Sequence, residues 1–247
     1  MEFEVVVPAL HFHASDGRLD MDATRRYAVR AVGTWVDRFI VSGSTTRGDL
    51  LASAQRAALL DLWLDVADDS RLLACAWCAD DLAYAEHRGV VSLAVMRGLI
   101  NRRAACGFFA GLPPNVYVYS HSVYSPTVLD AELAECARAQ GVLPKGAKIA
   151  KIAIEEIGAV RKIVGANFSL WDGSSRHIRA SLEAGASGVV ATPLNALPAP
   201  FPDRSVAALQ LVIDKIQAKL DRQPRGAARL ALLTELAHDG GRDAPKS

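Results

Sequence analysis

Short runs rich in β-branched and aromatic residues alternate with longer segments of helical period along most of the chain, and this alternation restricts the fold more than any other feature. Strands are expected at Phe3 to Val7, Arg38 to Ser42, Arg71 to Ala76, Val90 to Val95, Asn115 to Tyr119, Gly146 to Ala153, Asn167 to Trp171 and Gly188 to Ala191. Between them the spacing predicts helices over Met21 to Trp35, Ala52 to Val66, Ala79 to Glu86, Leu99 to Phe109, Pro126 to Gln140, Glu155 to Val164 and Ser174 to Ala184. Eight such units predict an α/β chain of the (β/α)8 barrel type. A doubly wound open sheet shares the alternation, but no G-x-G-x-x-G follows the first strand.

After the eighth strand, Pro193, Pro198, Pro200 and Pro202 break the chain before two helices, Ser205 to Leu220 and Ala227 to Ala237. The expected organisation is a barrel core over residues 1–200, C-terminal helices over 201–238 packing on it, and a polar tail over 239–247. At 247 residues, 51% of them hydrophobic, the chain holds enough apolar surface for one large core.

Charge narrows the partners. Lys plus Arg (28) nearly balance Asp plus Glu (27), and no basic tract interleaved with aromatics occurs, which points away from nucleic acid and acidic membranes and toward a small molecule. The N-terminal Met1-Glu2-Phe3-Glu4 lacks a basic leader, and no apolar run approaches the length of a membrane span, so a cytoplasmic location is expected. Cys75-Ala-Trp-Cys78 has the C-x-x-C form but no second ligand pair, and two buried structural thiols are the simpler expectation.

In a barrel, chemistry belongs at the C-terminal ends of the strands and in the loops that follow. This selects His11 and His13 after strand one, Gly43 to Asp49 after strand two, Tyr119, His121 and Tyr124 around the end of strand five, Lys148 and Lys151 in strand six, and Asp172-Gly173 after strand seven. A lysine within an apolar strand is either turned to solvent or desolvated, and desolvation favours the neutral, nucleophilic amine. Strands five and six are neighbours, so Tyr119 and a strand-six lysine can converge, the phenol moving protons while the amine attacks a carbonyl. Taken alone, Tyr119 also fits a core-edge aromatic. Ser44, Thr45 and Thr46, with Arg47, can hold a carboxylate or phosphate, although a turn leading to a helix capped at Ser53 explains the same composition. His11 and His13 can present two rings to one metal, with His121 as a third, which would make a metal-dependent hydrolase; that site lacks an aspartate after strand eight.

These residues resemble the Schiff-base-forming dihydrodipicolinate synthase and N-acetylneuraminate lyase family of (β/α)8 enzymes. Val7-Pro8-Ala9 and Asp16-Gly17-Arg18-Leu19-Asp20 are similar to the family's T-P-F and D-G-x-(I/V)-D. Gly43-Ser44-Thr45 is similar to the start of its G-T-T-G-E loop, and Gly146-Ala147-Lys148 to its G-I-K. From there the register runs without a gap through Phe168 to Gly173, similar to F-x-x-x-x-G, and on to Gly185-Ala-Ser-Gly188-Val-Val. The resemblance implies Lys148 as the Schiff-base lysine, with Lys151 on the other strand face. It implies Tyr119 as the proton relay, Thr45 and Ser44 as relay or carboxylate contacts, and Gly173 beside the substrate.

Several positions depart from the family. Thr46-Arg47 stands where it has Gly-Glu, the segment after Tyr119 lacks its carboxylate-binding arginine, and Met96-Arg97 replaces its P-P-Y-Y with the second relay tyrosine. Arg47 is then the candidate substitute for the lost arginine. The expected activity is a class I aldolase or lyase acting on a small, pyruvate-like 2-oxo acid other than the usual dihydrodipicolinate synthase substrate. No cofactor or metal is expected, because the imine is itself the electron sink. The resemblance also implies a homo-oligomer. A non-catalytic barrel binding a metabolite or protein, and a hydrolase using His11 and His13, are the alternatives.

Overall fold

The computed structural model describes residues 3–239; the expected tail beyond Asp239 lies outside them. The barrel strands are β1 Glu4–Pro8, β2 Arg38–Val41, β3 Leu72–Ala76, β4 Ser92–Val95, β5 Tyr117–His121, β6 Gly146–Ala150, β7 Ser169–Asp172 and β8 Gly188–Val190. They follow the order β1-β8-β7-β6-β5-β4-β3-β2 of a closed parallel barrel, as the alternation predicts. No helix of the described residues is long and apolar enough to cross a membrane.

Contacts divide the chain into two compact units, Leu73–Val190 with the first residues through Glu4, and Val5–Leu72 with Ala191 onward. In the first, one row of strand partners runs Val95, Tyr119, Lys148, Trp171 and Gly188. Val118, Ala147, Ile149 and Leu170 form a core with Ala105, Cys106 and Phe109 of α4 (Arg102–Ala110). Leu133, Ala134 and Ala137 of α5 (Ala131–Ala139) and Ile157 and Val160 of α6 (Ile154–Val164) complete it. Since side chains alternate along a strand, Tyr117, Tyr119, Lys148 and Trp171 face the opposite, inner side. Gly146 is required there. A Cβ would lie 2.4 Å from the Ser169 carbonyl oxygen and 2.5 Å from the Tyr117 ring, which stacks on Trp171 at 4.8 Å.

In the second unit, β1 pairs with β2. A short hairpin of Phe12–His13 and Leu19–Asp20 then leads into α1 (Met21–Val32). Asp20 closes the hairpin and caps α1, accepting from the Ala23 N–H at 2.8 Å. The helices α8 (Val206–Asp221) and α9 (Ala227–Asp239) pack on the turn Thr192–Ala196. That turn is tied to α1 by the buried Tyr27 hydroxyl, which donates to Asn195 Oδ1 at 2.5 Å.

Several boundaries differ from expectation. The helix expected from Leu99 starts at Arg102 because the Asn101 side chain caps it, and the one expected from Pro126 starts at Ala131 behind the Asp130 cap. Ser53 is the first residue of α2 (Ser53–Leu64), not its cap; Ala52 holds that place, its N–H donating to Gln55 Oε1 at 2.9 Å. Strand β5 does not end at Tyr119 but continues to His121, and β6 stops at Ala150. Lys151 therefore does not lie on the opposite face of a strand; it adopts φ +58° beyond the strand end. Cys75 is buried in β3 as expected, but Cys78 is exposed, since the chain has left the sheet there to start α3 (Ala79–His87).

Candidate active site

Lys148 is buried in the middle of β6, directly opposite Tyr119 of β5. Its Nζ lies 3.9 Å from the centroid of the Tyr119 ring, so the amine sits on the face of the phenol. Burial pulls its pKa down to about 8, against a smaller opposing influence of Cys75. Among the described residues no carboxylate pairs with it. A buried, uncompensated ammonium is costly, and the group answers by giving up its proton more readily.

Beyond Tyr119 the inner face of β5 continues to His121, whose ring centroid is 5.9 Å from that of Tyr119. The chain turns here. Tyr124 N–H donates to the His121 carbonyl at 2.9 Å, and the Val123 N–H donates to His121 Nδ1 at 2.9 Å. Burial, with the positive charges of Lys151 and Lys148, lowers the His121 pKa to about 4. The imidazole is thus neutral near pH 7, with Nδ1 accepting and the proton on Nε2. The turn also carries Tyr124 over the site's edge, 5.4 Å from the His121 ring and 5.0 Å from that of Trp77, which follows β3.

Gly173, expected beside the substrate, follows β7 and donates its N–H to the Ile149 carbonyl at 2.6 Å. A Cβ there would come within 2.8 Å of Ala150, so the glycine lets β6 and β7 close up next to Lys148. Asp172 faces outward. Ser181 of α7 (Ile178–Glu183) donates to it at 2.5 Å and Ser174 N–H at 2.9 Å, and burial raises its pKa.

Ser44, Thr45 and Arg47 belong to the other unit, in two short 3-10 turns, Ser44–Thr46 and Gly48–Leu50, after β2. Arg47 adopts φ +60°, and its guanidinium makes a two-pronged pair with Asp49 at 3.1 and 3.2 Å. Arg56 of α2 ties down the same loop, donating to the carbonyl oxygens of Gly48 and Leu51 and to Ser53 Oγ.

The two histidines after β1 differ in kind. His13 is exposed and its Nδ1 donates to the Gly17 carbonyl at 3.0 Å, whereas His11 is buried, with a pKa lowered to about 4 by burial and by His13. Their rings are 5.2 Å apart, edge to face. Among the described residues no group of three or more His, Cys, Asp or Glu is placed to hold a metal ion.

The structure thus brings Lys148, Tyr119 and Gly173 together with His121 and Tyr124, which the sequence places around the end of the same strand, and adds Trp77. The signal for His121 was present in the sequence: Tyr117, Tyr119 and His121 alternate at period two and share a face once the strand is extended by two residues.

No protein-family model matches the sequence, and no curated protein sequence matches it significantly. Solved structures do match. YagE, a prophage protein of the dihydrodipicolinic acid synthase family from E. coli, in complex with pyruvate, superposes with a TM-score of 0.77 at 16% identity, covering 99% of this chain and 92% of that one. Dihydrodipicolinate synthase from Agrobacterium tumefaciens gives 0.77 at 16% identity, over 98% of this chain and 90% of that one. A variant of the Sulfolobus solfataricus 2-keto-3-deoxygluconate aldolase gives 0.76 at 17%, over 97% and 86%. Over nearly its whole length, the chain shares the barrel fold of dihydrodipicolinate synthase family members and of 2-keto-3-deoxygluconate aldolase.

Proposed function

We propose that the protein is a class I aldolase or lyase that forms a Schiff base between Lys148 and a small, pyruvate-like 2-oxo acid. The observation that carries this reading is a buried lysine without a carboxylate partner, lying against Tyr119 on the directly paired, adjacent barrel strand. With a pKa of about 8, roughly one amine in ten is neutral at pH 7, against about one in three thousand for an ordinary lysine. The gain in nucleophile is several hundredfold. The pyruvate bound to YagE, a protein of the same fold, supports the choice of a 2-oxo acid.

The neutral amine of Lys148 adds to the C2 carbonyl; the N–C bond forms and the carbonyl π pair moves to oxygen. Tyr119 passes the surplus proton from nitrogen to that oxygen and then gives its own phenolic proton to the departing hydroxyl, so that water leaves as the nitrogen lone pair forms the C=N bond. A protonated imine remains beside a phenolate ready to accept the next proton from the substrate. The imine then accepts the electron pair released when the C3–C4 bond breaks, or when C3 loses a proton ahead of condensation. Thr45 and Ser44 extend the relay or hold the carboxylate, Arg47 pairs with the carboxylate, and Gly173 leaves room beside C3. Water hydrolyses the final imine and regenerates Lys148. The small-molecule partner is the 2-oxo acid, and the chemistry asks for neither nucleic acid nor membrane.

The test is to incubate the protein with pyruvate and a panel of 2-oxo acids, reduce with borohydride and map the adduct by mass. A stable adduct on Lys148 is the expected result. Absence of an adduct with every carbonyl tried overturns the aldolase and favours a barrel that only binds its metabolite.

A further inference from the structure

Four observations converge on His121. It shares the inner face of β5 with Tyr119, two residue pairs nearer the C-terminal end than the Tyr119–Lys148 pair, at the level where barrel chemistry is done. Its Nδ1 is occupied by the Val123 N–H at 2.9 Å, so the ring proton resides on Nε2. Among the described residues nothing accepts from Nε2. The ring is held on two sides, by Tyr119 at 5.9 Å and Tyr124 at 5.4 Å, and is only partly exposed, so this donor is preorganised.

We infer that His121 donates its Nε2–H to the substrate oxygen that becomes negative as Lys148 adds to the carbonyl. The inference rests on the Schiff-base reading of Lys148. A neutral imidazole is a poor acid, so it does not itself deliver the proton; it stabilises the developing alkoxide while Tyr119 carries the proton across. In bond terms nothing is consumed: N–C forms, the C=O π bond opens, the nitrogen proton ends on oxygen, and the Nε2–H hydrogen bond shortens and then relaxes as water departs. A fixed neutral donor suits a site next to two lysines, where an imidazolium would meet like charge. It also supplies a donor in a segment that offers no arginine, in a chain where Met96-Arg97 stands in place of the second relay tyrosine.

The experiment compares the rate of borohydride-trapped adduct formation with pyruvate in the wild type, His121→Phe and His121→Gln. Phenylalanine keeps the ring packing and removes the donor; glutamine replaces the ring but places an amide N–H near the position of Nε2. The expected result is a loss of about 100-fold in His121→Phe, with most of the rate restored in His121→Gln. Ring-nitrogen NMR on the unmodified protein is expected to show a neutral Nε2–H tautomer at pH 7. Wild-type trapping with an equally fast His121→Phe, or an Nδ1–H tautomer, overturns the role of His121 and leaves Lys148 standing. No trapping in the wild type overturns both.

Discussion

The amine of Lys148 rests on the ring face of Tyr119, 3.9 Å from its centroid, with the two residues paired directly across β5 and β6. A ring face favours a cation by about 0.5–2 kcal/mol. Burial works the other way and prevails, since the pKa still falls to about 8. The phenol ring therefore positions the amine.

Replacing Lys148 by methionine should abolish the adduct and stabilise the fold at pH 7. Unfolded, the lysine titrates near its ordinary 10.5; folded, near 8. Below pH 8 both states carry the proton and the cost of burying it is present in full. Between pH 8 and 10.5 only the unfolded state keeps it, so wild-type stability rises with pH. Lys148→Met should thus exceed the wild type by about 2–3 kcal/mol at pH 7, and the margin should shrink by pH 10. Urea unfolding at the two pH values measures it, and a pH-independent margin would contradict the assignment.

Gly146→Ala tests the strand that carries Lys148. The new methyl would sit 2.4 Å from the Ser169 carbonyl oxygen and 2.5 Å from the Tyr117 ring, neither of which has slack, since Tyr117 is stacked on Trp171. The expected cost is about 1–3 kcal/mol, seen as a drop in melting temperature, together with slower trapping at Lys148 because β6 must shift against β5. Unchanged trapping in a destabilised variant would show that the shift is taken up by β7 alone.

The barrel was legible because its signal is local and repeated: each strand and helix declares its own period. The site was less so. Lys148 and Tyr119 stood out as polar groups within apolar runs, but Lys151 looked like part of the strand because nothing in its side chain announces a positive φ of 58°. In the sequence, strand β5 reads as ending at Tyr119 because Ser120 and His121 look like loop. Ser120 is tolerated on the packed face because its hydroxyl accepts the Leu129 N–H at 2.8 Å, a contact nine residues away that no local pattern encodes. The Tyr27–Asn195 bond, 168 residues apart, is beyond local reading altogether.

Arg161 of α6 should matter for stability and not for chemistry. Its guanidinium donates to the carbonyl oxygens of Gly185 at 2.6 Å and Phe168 at 2.8 Å and to Ser187 Oγ at 2.9 Å, with a further bond to the Gly165 carbonyl. These acceptors lie in the connections that lead into β7 and β8. Arg161→Met keeps the stem and leaves the part-buried carbonyls without their donor, at an expected loss of about 2–4 kcal/mol by chemical denaturation. Trapping at Lys148 well below the melting range should be unaffected.

Arg47 is engaged, but by a partner it can release. The Arg47–Asp49 pair has an arginine side chain 53% exposed, and such pairs are worth about 0.2–1 kcal/mol. A substrate carboxylate offers a charge-assisted bond of about 1.5–3 kcal/mol, so exchange is favourable if the carboxylate reaches the guanidinium. Two variants follow with opposite signs. Arg47→Ala should raise the pyruvate KM by about tenfold or more, while Asp49→Asn, which removes the carboxylate that competes for the guanidinium, should lower it by about two- to fivefold. In both, the adduct at saturating pyruvate should still form on Lys148. A KM insensitive to Arg47→Ala would assign Arg47 to the loop's own architecture and move carboxylate recognition to Ser44 and Thr45.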